Sequence, residues 1–116
     1  MKLVDINTEE YSILHDATSN TIVIKGFLRL DGMEEYKPIM DVLLGALENA
    51  RNLTINVRDL EFLNSSGIST LSMFVVRVRE RKDVHLTLQG SEAVLWQTKS
   101  LKNLQRLMPS LTLEYI

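Results

Sequence analysis

A single α/β domain with a mixed β-sheet and helices, its elements in the order ββαβαβαβ, follows from three features of the sequence. The 116 residues are 45% hydrophobic, which is one domain's length of chain with material for a core. Beyond Leu30, aliphatic and β-branched runs of strand length alternate with segments whose apolar residues recur every three or four positions. The first two runs, in contrast, are separated only by Thr18-Ser19-Asn20, too short for a helix. A hairpin therefore opens the chain, and strands joined through helices then run parallel with right-handed crossovers.

The hairpin strands span 11–17 and 21–30. In the second, Ile22, Ile24, Gly26 and Leu28 alternate with Thr21, Val23, Lys25 and Phe27, so both faces carry apolar side chains and the strand is expected to be covered along most of its length. His15 has no second ligand at metal spacing and reads as an ordinary strand residue. Asp31 and Glu34 have the spacing of a capping box, and Ile39, Val42, Leu43, Ala46, Leu47 and Ala50 mark an amphipathic helix. Pro38 lacks an amide donor, which puts the firm part of that helix after it. The acids Asp31, Glu34 and Glu35 suit the positive end of the helix dipole. They read as solvated capping rather than as catalytic carboxylates, because no second element offers a pocket.

The middle of the chain carries the most information. An apolar run at 53–58 leads through a short connection into Phe62-Leu63-Asn64-Ser65-Ser66-Gly67, and apolar residues then recur at helical spacing through Val78. Asn64, Ser65 and Ser66 are candidate N-caps, since a short side-chain oxygen can accept from a free amide of the first turn. Ile68, Leu71, Phe74, Val75 and Val78 fall on one stripe and suffice as a core face. Ser65, Ser69, Ser72, Met73 and Val76 fall opposite. Small hydroxyls with an exposed Met and Val are unlike the charged outer face of a solvated helix, so this side, together with Asn64, Ser66 and Gly67 of the turn, reads as a partner-binding surface.

Arg77, Arg79, Arg81 and Lys82 end the helix and complement its negative pole. As a nucleic-acid patch they are interrupted by Glu80 and Asp83 and carry no interleaved aromatic. Residues 84–89 alternate as a strand, with Val84, Leu86 and Leu88 on one face; Gly90 ends it and Ser91 caps the next helix. That helix runs from about Glu92 to Leu107, with Ala93, Trp96, Ser100, Leu104 and Leu107 on one side, Val94 and Leu101 on a flank and Leu95 facing away. Trp96 reads as a core or edge filler. Pro109 stops the helix, and Leu111, Leu113 and Tyr115 alternate in a last strand.

Composition narrows the function classes. A net charge of -2 gives no field for nucleic acid or an anionic membrane, and no stretch approaches the roughly 20 apolar residues of a membrane span. The start, Met1-Lys2-Leu3-Val4-Asp5, is too short an apolar run for a signal peptide. Cysteine is absent, which removes disulfides and thiol chemistry and fits a cytoplasmic setting. Ser65 and Ser66 have only His15 and His85 as conceivable bases, and there is no nucleophile elbow, phosphate loop or dinucleotide fingerprint, so neither catalysis nor a cofactor is expected.

The stretch from Leu53 to Leu71 resembles the signature of the STAS domain of bacterial anti-sigma-factor antagonists, a strand followed by Asp-Ser-Ser-Gly and an apolar helix. The resemblance extends in pattern along nearly the whole chain and implies a STAS-like fold, while its specific part is about a dozen residues around Ser65. It implies that Ser65 is the residue phosphorylated by the partner, an anti-sigma factor that is a serine-protein kinase of the histidine-kinase-like ATPase type, and restored by a serine phosphatase. The resemblance further implies that the unmodified protein binds that partner and the phosphorylated one releases it. Ser66 is the second candidate for the modification, and Ser66 and Gly67 carry over as turn-forming neighbours. Two positions depart from the pattern: the motif Asp is Asn64, and the acid near the end of the preceding strand is Asn56. Both remove negative charge near Ser65; Asn at the motif position also occurs in related single-domain regulators phosphorylated at the next residue. A second function class is a constitutive STAS subunit of a larger assembly, such as a lipid-transport ATPase or a stress-sensing complex.

Overall fold

In a computed structural model, which describes residues 3–116 and side chains from residue 6 onward, seven strands and three helices follow one another. They are β1 (Leu3–Asn7), β2 (Tyr11–Asp16), β3 (Thr21–Leu28), α1 (Gly32–Leu47), β4 (Asn52–Asn56), β5 (Leu60–Leu63), α2 (Ser65–Glu80), β6 (His85–Gly90), α3 (Leu95–Leu107) and β7 (Thr112–Tyr115). Met1 and Lys2, part of the start read against a signal peptide, lie outside the described residues. The order is thus βββαββαβαβ. It departs from the expected one by the first strand and by a central strand broken in two.

One sheet holds all of the strands in the order β1-β2-β3-β4-β6-β7, and β5 continues the line of β4 along β3. Thr21–Val23 pair with β4, and Gly26–Leu28 pair with β5, with a register shift between Gly26 and Phe27. The break is a tight turn: the Asn56 side-chain oxygen accepts from the Arg58 amide at 2.9 Å, and Leu60 donates to the Val57 carbonyl at 2.9 Å. Gly26 makes the close fit across it. Its φ is 99°, its amide donates to Asp59 at 3.0 Å, and a Cβ there would stand 2.2 Å from the Glu10 carbonyl oxygen.

From β3 the parallel strands step in one direction, so right-handed crossovers carry all three helices to the same face. There α2 packs between α1 and α3. Ile13, Ile22, Ile24, Ile55, Leu86 and Leu88 meet Leu43, Phe74, Val75, Val78 and Leu101 in one continuous core. Truncating a fully buried ring such as Phe74 to Ala would cost about 3–5 kcal/mol. The opposite sheet face is open, and β3 is therefore covered on one side only: Lys25 and Phe27 are exposed, contrary to the expectation of cover on both.

Three other expectations are corrected. Helix α1 starts at Gly32 and runs through Pro38 rather than after it. Both Pro38 and Glu34, whose carbonyl loses its partner there, are exposed, so water can take the missing amide's place. The Asp31–Glu34 capping box does not form; the Glu35 carboxylate accepts from the Asp31 amide instead, at 3.0 Å. Helix α3 begins at Leu95, not Glu92, because Ser91 is drawn into a loop in which its hydroxyl accepts from Ala93 and its amide donates to Gln97. The buried side of α3 is then Gln97, Leu101 and Leu104, with Trp96 and Leu107 at its edge and Leu95 facing solvent.

Candidate functional site

β5 delivers Leu63 to the core and Asn64 to the mouth of α2, and the hydrogen bonds of Asn64 explain why the chain turns there. Its amide donates to the Leu28 carbonyl at 3.1 Å, closing the β3–β5 ladder, and its carbonyl accepts from Ile68 at 2.9 Å, opening the helix. The side chain adds three bonds. Oδ1 accepts from the Gly67 amide at 3.0 Å and from the Tyr36 hydroxyl at 2.6 Å, and Nδ2 donates to the Leu30 carbonyl at 2.8 Å. Asn64 is therefore both the cap of α2 and its tie to α1 and the loop before it.

This network gives a physical reason for Asn in place of the motif Asp. A carboxylate could still accept from Gly67 and Tyr36, but it would set a bare oxygen against the Leu30 carbonyl. The amide supplies the donor that this carbonyl needs. Asn56, the other departure, shapes the turn between β4 and β5 as described above.

Tyr36 lies fully buried on the core side of α1, and burial pushes its phenol above the ordinary value of 10.0. Gly67 makes room for it. A Cβ at Gly67 would stand 2.7 Å from the Tyr36 oxygen and 2.2 Å from Leu63 Cδ1, so glycine is required by close approach rather than by a left-handed turn. Among the residues named in the sequence as the partner-binding set, Asn64 and Gly67 thus point inward and support the turn.

The others line its outer side. Ser65, the first residue of α2, is exposed, and Ser66 is half-buried; neither hydroxyl is hydrogen-bonded among the described residues. The Ser65 and Ser66 amides likewise meet no acceptor there, and the first turn of α2 holds no acid. From Ser65 the stripe continues along α2 through exposed Ser69, through Ser72, whose hydroxyl is turned back onto the Ile68 carbonyl at 2.8 Å, to Met73 and Val76. It ends in a groove of about 420 Å³ between Met40 of α1, Ser72, Met73, Val76 and Arg77 of α2, and Leu107 of α3. The stripe of the sequence is continuous in space, and the flanking helices supply its walls.

The cations at the end of α2 serve its neighbours rather than α2 alone. Arg79 donates to the Leu107 carbonyl at 3.1 Å and Arg81 to the Leu47 carbonyl at 3.4 Å, so each reaches the last residue of an adjacent helix. Arg81 also holds the exposed Asp83 carboxyl below its ordinary range. Neither histidine serves Ser65: His15 is hydrogen-bonded to Asn20 at 2.7 Å and His85 to Thr112 at 2.8 Å. Among the described residues no group of three His, Asp or Glu could hold a metal ion, and no helix is long and apolar enough to cross a membrane.

Sequence reasoning missed two supports of this site. Tyr36 extends the apolar stripe of α1 by one step before Ile39, a position where a hydroxyl needs a partner; that spacing was the available signal. Gln97, fully buried, donates to the Val57 and Leu60 carbonyls, and Trp96 Nε1 donates to Leu60 at 2.8 Å. Together they fasten α3 to the strand that presents Asn64. Nothing local in the sequence marked Gln97.

No protein-family model and no curated protein matches the sequence. Solved structures do match. A chain of the complex of the diguanylate cyclase SiaD with its activator SiaC from Pseudomonas aeruginosa aligns with a TM-score of 0.73 at 16% identity, covering 97% of both chains. Apo-SiaC from Pseudomonas aeruginosa aligns at 0.69 and 15% identity over 99% of this chain and 98% of that one, and a further SiaC structure at 0.66 and 15% over 99% and 96%. At these identities the likeness is one of fold: a single STAS-like α/β domain with a mixed sheet and three helices.

Proposed function

We propose that this chain is a non-enzymatic regulator that binds a protein partner through the outer face of α2 and is switched by phosphorylation of Ser65. The observation that carries the reading is the state of Ser65 itself: an exposed hydroxyl on the first turn of a helix, without a hydrogen-bond partner among the described residues, beside two amides that likewise meet no acceptor there, at the head of a stripe of small hydroxyls that ends in Met73 and Val76. Phosphate brings about -1.5 to -2 charges to a helix end that favours an anion, so the modified fold survives. A partner packed flat on Ser65, Ser69, Met73 and Val76 would then have to desolvate a dianion. A loss of a few kcal/mol lowers affinity by orders of magnitude. Ser66, half-buried, is the second choice for the modification.

The partner on this reading is an anti-sigma-type serine kinase with the ATPase fold of histidine kinases, and a serine phosphatase reverses the mark. One finding favours an output through a signalling enzyme rather than a sigma factor: SiaC, similar in fold, is the activator of a diguanylate cyclase. The test is partner binding by two variants. Ser65→Asp is expected to lower affinity at least about a hundredfold while Ser65→Ala retains it. Equal binding by both would favour the constitutive subunit of a larger assembly.

A further inference from the structure

At the end of the sheet away from Ser65, the β2–β3 turn, the C-terminus of α1 and the start of β4 enclose an open cleft of about 550 Å³. A short chain of hydrogen bonds shapes one wall. Asn20, left-handed at φ 49°, donates from Nδ2 to the Asn52 carbonyl at 2.9 Å, which leaves its Oδ1 facing His15 Nε2 at 2.7 Å. An acceptor at that distance requires the hydrogen on Nε2, so Nδ1 of the neutral ring is an acceptor and that of the charged ring a second donor.

Arg51, Asn49 and Asn52 line the same cleft, and among the described residues none of their side chains is hydrogen-bonded. No carboxylate lines it, in a chain with 15 acidic residues and a net charge of -2. The negative end of α1 is itself partly neutralised, because the Leu47 carbonyl already accepts from the Ala50 amide and from Arg81. The acid facing Arg51 from outside the lining is the exposed Asp83, whose carboxyl is held low mainly by Arg81 and only in small part by Arg51.

Gly45 adds an independent observation. It sits inside α1, where glycine weakens a helix relative to alanine, yet a Cβ there would meet nothing within 4 Å. Packing does not require it and its φ is not positive. Gly45 lines the cleft and faces open space.

We infer that this cleft binds a small phosphate-bearing molecule. Arg51 is its charged anchor, suited by its planar fork to two phosphate oxygens, and Asn49, Asn52 and His15 supply further polar contacts. Gly45 leaves room for the rest of the ligand. The volume exceeds that of a bare phosphate and falls within the roughly 300–1,000 Å³ of small-molecule sites. The inference stands apart from the Ser65 reading, since the two sites share no residue.

The experiment is a titration of the isotope-labelled protein with inorganic phosphate and with ribose 5-phosphate, followed by amide NMR at constant ionic strength. Saturable shifts are expected at Gly45, Asn49, Arg51 and Asn52, with the sugar phosphate at least about tenfold tighter than phosphate alone. Arg51→Ala should weaken both by about tenfold or more. Gly45→Leu should remove only the advantage of the sugar phosphate, and Gly45→Ala should raise the thermal midpoint, which establishes that changes at 45 leave the fold intact. Shifts that fail to saturate, that survive Arg51→Ala unchanged, or that gather at the Ser65 turn instead would overturn the inference.

Discussion

Helices α1 and α2 begin in opposite ways. Asp31 makes no side-chain cap bond; the first turn of α1 carries Glu34 and Glu35, and the Glu35 carboxylate folds back onto the Asp31 amide. The positive end of α1 is therefore neutralised by its own acids. At α2 the cap is the neutral Asn64, held by Tyr36 and Leu30 on the inner side, and the first turn has no acid at all. An anion arriving at α1 meets like charge, whereas one arriving at α2 meets free amides and an unopposed dipole. Two helix starts of similar polarity thus differ in whether their first turns already carry acidic charge.

If the inner network is what presents Ser65, breaking it should show first in stability. Gly67→Val, which pushes side-chain atoms into Leu63 and Tyr36, is expected to cost about 3 kcal/mol or more, read as a lower denaturant midpoint. Asn64→Ala strips partners from Leu30, Tyr36 and Gly67 together and should cost about 2–3 kcal/mol. Tyr36→Phe removes one hydroxyl bond, for about 0.5–1.5 kcal/mol at neutral pH. Its pH dependence has a definite sign. The folded protein holds the Tyr36 proton more tightly than the unfolded chain, so the contribution is complete below pH 10.0 and is lost as pH rises beyond it, a loss that the Phe variant should lack. The smallest effects bear on the comparison itself. Ser65→Asp should raise stability by about 0.3–1 kcal/mol, while Glu35→Gln at α1 should lower it by a similar amount, and thermal scans at low salt resolve both.

The sequence disclosed what periodicity encodes and concealed what distant backbone decides. The stripe Ser65, Ser69, Ser72, Met73 and Val76 was legible because a helix of known phase fixes its faces, and the STAS resemblance anticipated the layout of sheet and helices. The break between β4 and β5 was not, since it depends on Gly26 and Glu10 of another part of the sheet. Pro38 misled for a related reason: whether a helix tolerates proline depends on solvent at the orphaned carbonyl, which sequence spacing does not report. Asn64 was read correctly as a cap but its bonds to Tyr36 and Leu30 span about 30 residues of chain, beyond any local rule. Gln97 illustrates the same limit, because only the carbonyls of Val57 and Leu60 explain a buried amide in an otherwise amphipathic helix.

The measurement closest to the central claim is phosphosite mapping by mass spectrometry on the protein captured from its native cells, with co-purifying proteins identified in the same sample. The account predicts phosphate on Ser65 in a fraction of molecules that varies with growth or stress, and a serine kinase or signalling enzyme bound to the unmodified fraction alone. A Ser65 that stays unmodified under every condition, in a protein held at fixed stoichiometry in an assembly, would contradict it and reduce the serines of this turn to helix caps.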